Sequence, residues 1–147
     1  MPTHLAHQSF DPATQSAQQN YKLLAGSVLP RPIALVSSID AAGVPNLAPY
    51  SFFTVASANP PALCFCPSVR APTNGLRPVK DTLENIRATR EFVVNIVSED
   101  FIEQMNQTAA QVPPSVDEFA LARFTPLASD LVRPPRVAES RVQMECR

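Results

Sequence analysis

At 147 residues, with 45% apolar and 17% charged residues, the chain has the composition of one globular domain long enough to bury a core. Twelve basic residues against thirteen acidic ones give a net charge of −1, and no basic stripe with interleaved aromatics is present, which argues against a nucleic-acid partner. No apolar run reaches the length of a bilayer, and the N-terminal stretch shows no secretory pattern, so neither a membrane span nor export is expected.

Three cysteines are an odd number, and Cys64 and Cys66 stand too close in sequence for an ordinary disulfide, which fits a reducing cytoplasm. Proline is abundant at 16 and glycine scarce at 3. The prolines cluster at Pro30/Pro32, Pro60-Pro61, Pro113-Pro114 and Pro134-Pro135, where each cluster ends hydrogen-bond ladders and punctuates short elements.

Residues 1–14 are polar and patternless and read as a loose arm, and residues 15–147 as a single domain. A short helix or turn is expected from Gln15 to Leu24, with Tyr21 and Leu24 on one side. Ile33 to Ile39 reads as a strand closed by the turn Asp40 to Pro45, in which Gly43 supplies permissive backbone. Asn46 to Phe53 and Val55 to Ala58 continue extended up to Asn59-Pro-Pro61. Ala62 to Cys66 is a brief strand with Leu63 and Phe65 on one face and the cysteines on the other. Short strands joined by short turns predict an antiparallel meander able to close into a barrel.

Ser68 to Val79 reads as a loop holding Arg70, Gly75 and Arg77. Thr82 to Arg90 carries helical spacing, with Asp81 as its expected cap and Leu83, Ile86 and Arg87 at helical intervals. Phe92 to Val97 is the clearest strand. Ser98 or Asp100 is expected to cap a helix bearing Phe101, Ile102 and Met105, and Val116 to Ala122 a further turn or short helix. Arg141 to Cys146 alternates as a strand.

Three segments combine small hydroxyls, a cation or free backbone donors with an apolar β-like run, as a bound mononucleotide requires. Lys80-Asp81-Thr82 opens a helix, where unpaired N–H groups and a partial positive charge favour an anion; an ordinary capped helix with a solvated lysine is the alternative. Arg31, held between Pro30 and Pro32, leads a strand that can lie along a flat ring, or that begins at prolines only to protect an edge. In Asn46 to Phe53 neither strand face is cleanly apolar and Pro49 removes a ladder donor, which suits backbone serving a ligand, with Ser51 foremost, or a barrel bend.

Among the remaining candidates, Cys64-x-Cys66 lacks a second ligand pair and reads as two buried thiols. His4-x-x-His7 lies in the arm. Asp117-Glu118 reads as a solvated helix cap. No catalytic triad can be assembled, since both histidines lie in the arm.

In combination, Arg31-Pro-Ile-Ala-Leu-Val-Ser, Asn46-Leu-Ala-Pro-Tyr-Ser-Phe-Phe, Asn59-Pro-Pro61 and Lys80-Asp-Thr-Leu-x-Asn-Ile86 resemble the flavin reductase-like proteins, flavoredoxins among them, which bind FMN in a split β-barrel. Asp117-Glu-Phe119 and Pro134-Pro-Arg136 through Glu145-Cys146 extend the resemblance from about Tyr21 to the last residue. The fold it implies is mainly β with helices, an α+β antiparallel split β-barrel. The family continues beyond the Glu-Cys segment, so a chain ending at Arg147 is expected to lack the last strands, with an exposed edge from Arg141 onward. In Ala-x-Phe-Thr-Pro, Arg123 stands where the family tends to have glycine, and a left-handed turn there would strain it.

The resemblance further implies a homodimer with FMN near the subunit interface. Arg31, Pro32, Ile33 and Ala34 would lie along the isoalloxazine ring. Ala48, Pro49, Tyr50, Ser51 and Phe52 would embrace the ribityl chain and phosphate, and Lys80, Asp81 and Thr82 would complete the phosphate site. The flavin would carry the chemistry, so no catalytic side chain is named. Three readings stay open: an FMN oxidoreductase taking electrons from NADH or NADPH to a protein or small-molecule acceptor, an FMN electron carrier without nicotinamide oxidation, and a non-functional truncated copy.

Overall fold

The computed structural model describes residues 8–69 and 79–147. His4, His7, the start of the expected arm, and Arg70, Gly75 and Arg77 lie outside them. The chain divides into two units, one running to Arg31 and one from Pro32 to Arg147.

In the first unit, Asp11 caps a 3₁₀ turn over Pro12–Thr14. Helix α1, Ala17–Ser27, begins at Ser16, whose hydroxyl accepts from the Gln19 N–H while the Gln19 amide accepts from the Ser16 N–H. That reciprocal pair satisfies two orphan donors, so the helix starts at Ser16 and runs past Leu24. Tyr21 and Leu24 are exposed.

The second unit is built on β1 (Ala34–Ile39), β2 (Pro45–Tyr50), β3 (Phe53–Ala58), β4 (Pro61–Phe65), β5 (Phe92–Ile96) and β8 (Gln143–Cys146). Two-residue bridges β6 (Pro126–Leu127) and β7 (Arg136–Val137) precede the last strand. Among the described residues the main sheet is antiparallel with order β2-β1-β5-β8, and β3 pairs with β4 in a separate hairpin. The expected antiparallel architecture is present, without a closed barrel among the described residues. The turn between β1 and β2 relies on Gly43 at φ 93°, with the Asp40 carboxylate accepting from Val44 N–H.

Both faces of the sheet are covered. Leu35 and Leu47 point to one face, against Phe101, Met105, Phe119, Phe124 and Val137. Ala34, Val36, Tyr50 and Val94 point to the other, where Phe53, Leu63 and Phe65 of the hairpin pack. Central β1 is therefore apolar on both sides, which explains its run of β-branched and small residues. Asn95 is fully buried within β5, donating to Leu35 O at 3.0 Å and accepting from Val137 N–H at 2.9 Å. That side chain fastens β7 to the sheet.

Several local expectations need correction. Cys64 and Cys66 are exposed rather than buried, because Leu63 and Phe65 take the inward face of β4. Helix α2, Asp81–Thr89, has Lys80 rather than Asp81 at its cap, and no side chain caps it among the described residues. Its buried positions are polar, Thr82 and Asn85, instead of the apolar residues at helical spacing. Neither Ser98 nor Asp100 caps α3, Ile102–Gln107, which follows a 3₁₀ turn over Glu99–Phe101. Asp117 does cap α4, Glu118–Ala122, accepting from Phe119 and Ala120 N–H, but Glu118 is buried rather than solvated.

The turn after α4 is left-handed, and Arg123 adopts φ 58° there. A non-glycine residue in that region costs about 1–2 kcal/mol, offset in part by glycine's larger chain entropy. Arg123→Gly is expected to stabilise the protein by about 0.5–1 kcal/mol, read from the urea midpoint. An unchanged or lowered midpoint means the arginine is not strained.

Candidate functional site

The start of α2 and strand β2, about thirty residues apart in sequence, meet at a small polar pocket. Asn46, Ala48, Pro49 and Tyr50 line it from β2, and Lys80, Asp81 and Thr82 from the helix. Thr108, Ala109, Ala110 and Glu118 close it. Its volume of about 70 Å³ suits a phosphate-sized anion and is too small for an aromatic ring.

Two side-chain bonds fix α2 at this place. Asn46 Nδ2 donates to Thr82 Oγ1 at 2.9 Å, and Asn85 Nδ2 donates to Ser38 Oγ at 3.1 Å. All four groups are buried, so each bond replaces water that the residues have lost. Among the described residues no side chain caps α2; the Lys80 carbonyl accepts from Leu83 N–H and Glu84 N–H. The N–H groups of Asp81 and Thr82 thus precede the first intrahelical bond, at a helix end whose partial positive charge is shared with the acidic Asp81 and Glu84. Lys80 Nζ lies 4.7 Å from the centroid of the Tyr50 ring, a cation–π contact that holds the ammonium beside the pocket.

Two carboxylates stand in the same wall. Asp81 is half-buried, at the first helical position. Glu118 is only 8% exposed and accepts from Leu47 N–H at 3.2 Å. Burial pushes its carboxyl above the ordinary range, against the pull of the Leu47 and own-backbone hydrogen bonds, and the nearby Asp81 and Asp117 charges push the same way. Asn46, Glu118 and Thr108 were missed as site residues. For Asn46 the signal was a polar residue on a strand face otherwise apolar; for Glu118 it was the Asp117-Glu-Phe119 motif, read there as a solvated cap; for Thr108 there was none.

Of the residues expected from the sequence, Ala48, Pro49, Tyr50, Lys80, Asp81 and Thr82 are brought together. Ser51 and Phe52 form the bend between β2 and β3. Ala34 is fully buried opposite Tyr50, and Ile33 packs on the core, while Pro32 is exposed. Arg31 belongs to the N-terminal unit, where its guanidinium donates to the carbonyls of Ala25 and, at 2.8 Å, Val28.

A larger hollow of about 560 Å³ lies between the hairpin and β8, lined by Val55, Leu63, Phe92, Met144 and Cys146. It is mainly apolar, and the Glu145 carboxylate at its rim is already committed to the N–H groups of Asp130, Leu131 and Val132. Among the described residues no three His, Cys, Asp or Glu side chains gather to hold a metal, and no helix is long and apolar enough to cross a membrane.

An antiparallel sheet with a hairpin packed on one face is the frame of this domain. Residues 25–147 match the flavin reductase like domain, and the chain belongs to that family. A protein of unassigned function from Aquifex aeolicus is 45% identical over 127 residues, covering 86% of this chain and 63% of its own. The chain thus spans less than two thirds of that relative. The crystal structure of nitrilotriacetate monooxygenase component B from Bacillus cereus superposes with a TM-score of 0.87 at 41% identity, covering 97% of this chain and 68% of that one. A Shewanella frigidimarina protein with a split barrel domain superposes at a TM-score of 0.76 and 24% identity, covering 95% and 67%, which shows the shared split-barrel fold.

Proposed function

We propose that this chain is the FMN-binding part of a flavin-dependent oxidoreductase, with the flavin phosphate held where β2 meets α2. The observation that carries this reading is the convergence of Asn46–Tyr50 with an uncapped helix start, Lys80 and Thr82 on one phosphate-sized pocket. The family supports a flavin as the ligand. The fit is one of charge and size: the pocket offers backbone donors, a hydroxyl and an ammonium, which together suit a phosphate.

In this reading Lys80 supplies the full positive charge, Thr82 and the first N–H groups of α2 accommodate phosphate oxygens, and Asp81 turns to solvent. Ala48, Pro49, Tyr50, Ser51 and Phe52 follow the ribityl chain, with Ser51 donating, and Arg31, Pro32, Ile33 and Ala34 border the ring. Bound FMN supplies the redox chemistry, with NADH or NADPH as electron donor and a protein or small molecule as acceptor; the protein supplies position and electrostatics. The assembly is a homodimer in the cytoplasm.

Titration of the apo-protein with FMN tests the site. Lys80→Ala removes a charge-assisted phosphate contact and is expected to weaken FMN about tenfold to a hundredfold, with riboflavin little affected. Ser51→Ala is expected to weaken it a few-fold. If both variants match the parent, the phosphate lies elsewhere. Anaerobic bleaching of the flavin band by NADH or NADPH identifies the reductase; colour without bleaching identifies a carrier fed by a protein. Light scattering at twice the chain mass checks the dimer.

A further inference from the structure

We infer that Glu118 is a positioning residue of this pocket that takes up a proton from solvent when the flavin phosphate arrives. The inference rests on the proposed FMN site and adds to it the group that sets its pH dependence.

Among the described residues the pocket's charges do not balance for a phosphate. There Lys80 is the cation in its lining, against Asp81 and Glu118, and a phosphate ester brings roughly −1.5 to −2 more. Asp81 and Glu118 differ in what they can do about it. Asp81 is half-buried at a helix terminus and can rotate toward water. Glu118 is enclosed, and its carboxylate is pinned to the backbone of β2 by the Leu47 N–H. Its cheapest response to a second anion is therefore to become neutral.

The other titratable groups around Glu118 among the described residues leave that response in place. Lys80 and Asp81 face it from α2, Asp117 from the cap of its own helix and Tyr50 from β2, while the segment after α3 presents Thr108, Ala109 and Ala110, which carry no charge. Asp81 and Asp117 both favour the neutral acid, and Lys80 lies over the Tyr50 ring at the pocket's edge. A protonated Glu118 keeps one oxygen accepting from Leu47 and gains an O–H donor, so the change preserves the tie to β2. An anion beside the carboxyl raises its pKa in the bound state above that in the free state. Binding then takes up a proton and strengthens as pH falls.

The test compares FMN with riboflavin, which lacks the phosphate, in fluorescence titrations of the parent and Glu118→Gln from about pH 5.5 to about pH 8.5. In the parent, FMN is expected to weaken on the order of tenfold more across this range than in Glu118→Gln. Riboflavin should show no such difference. Near the alkaline end Glu118→Gln should bind FMN about tenfold more tightly than the parent, since glutamine keeps the acceptor for Leu47 without the charge. Parallel pH profiles for FMN in the two proteins overturn the inference. A check that needs no variant is calorimetry of the parent in two buffers of different ionisation heat. It should show greater proton uptake with FMN than with riboflavin, and equal uptake overturns the inference too. If neither flavin binds the parent at any pH, the flavin site itself is wrong, a separate outcome.

Discussion

Phe119→Ala is expected to lower the unfolding free energy by about 3–5 kcal/mol, the usual cost of truncating a buried aromatic ring. Phe119 is 1% exposed and packs with Leu35, Leu47, Phe101 and Phe124 beneath the sheet. The loss is a large share of the roughly 5–15 kcal/mol that holds a domain of this size folded. In urea the midpoint should fall by roughly 2 M at unchanged slope. Because Phe119 follows Glu118 on a helix of only five residues, the variant should also lose FMN affinity before it unfolds globally. A midpoint shift under about 0.5 M means that the ring is not a keystone of this core.

The second large effect belongs to Asn95→Ala. The alanine leaves Val137 N–H, fully buried, without its acceptor, and removes the donor to Leu35 O. An unsatisfied buried group costs about 1–3 kcal/mol, so the pair amounts to about 3 kcal/mol and roughly 10 °C of melting temperature. Asn95→Asp is a useful contrast: it can still accept from Val137 but cannot donate to Leu35, and it buries a charge, so it should be at least as damaging at neutral pH. Melting within about 2 °C of the parent for both variants would show that water or a local shift replaces these bonds.

The local elements that a single residue can specify were legible in the sequence. Gly43 marked its turn, Asp117 its helix and the Phe92 to Val97 run its strand, while the family resemblance flagged the left-handed position that Arg123 occupies. What escaped the sequence was decided by remote partners. Glu118 looks like a solvated cap until β2 is laid over it and Leu47 N–H supplies its bond. Thr82 and Asn85 look like the outer face of α2 until Asn46 and Ser38 meet them. The cysteines of β4 alternate correctly with Leu63 and Phe65, but alternation does not say which face a hairpin turns outward. Ala48, Pro49, Tyr50, Lys80, Asp81 and Thr82 line one pocket, while the parts of its wall from Asn46, Thr108 and Glu118 became visible only in three dimensions.

The two buried amide–hydroxyl bonds of α2 have a mechanical consequence. Thr82 is gripped by one strand of the sheet and Asn85, nearly a full turn further on, by the next strand. A rod clamped at two points cannot swivel about either. Opening or narrowing of the pocket then falls to side chains such as Lys80 and Asp81 or to the backbone between Thr108 and Ala110, with the helix itself acting as a stationary jaw.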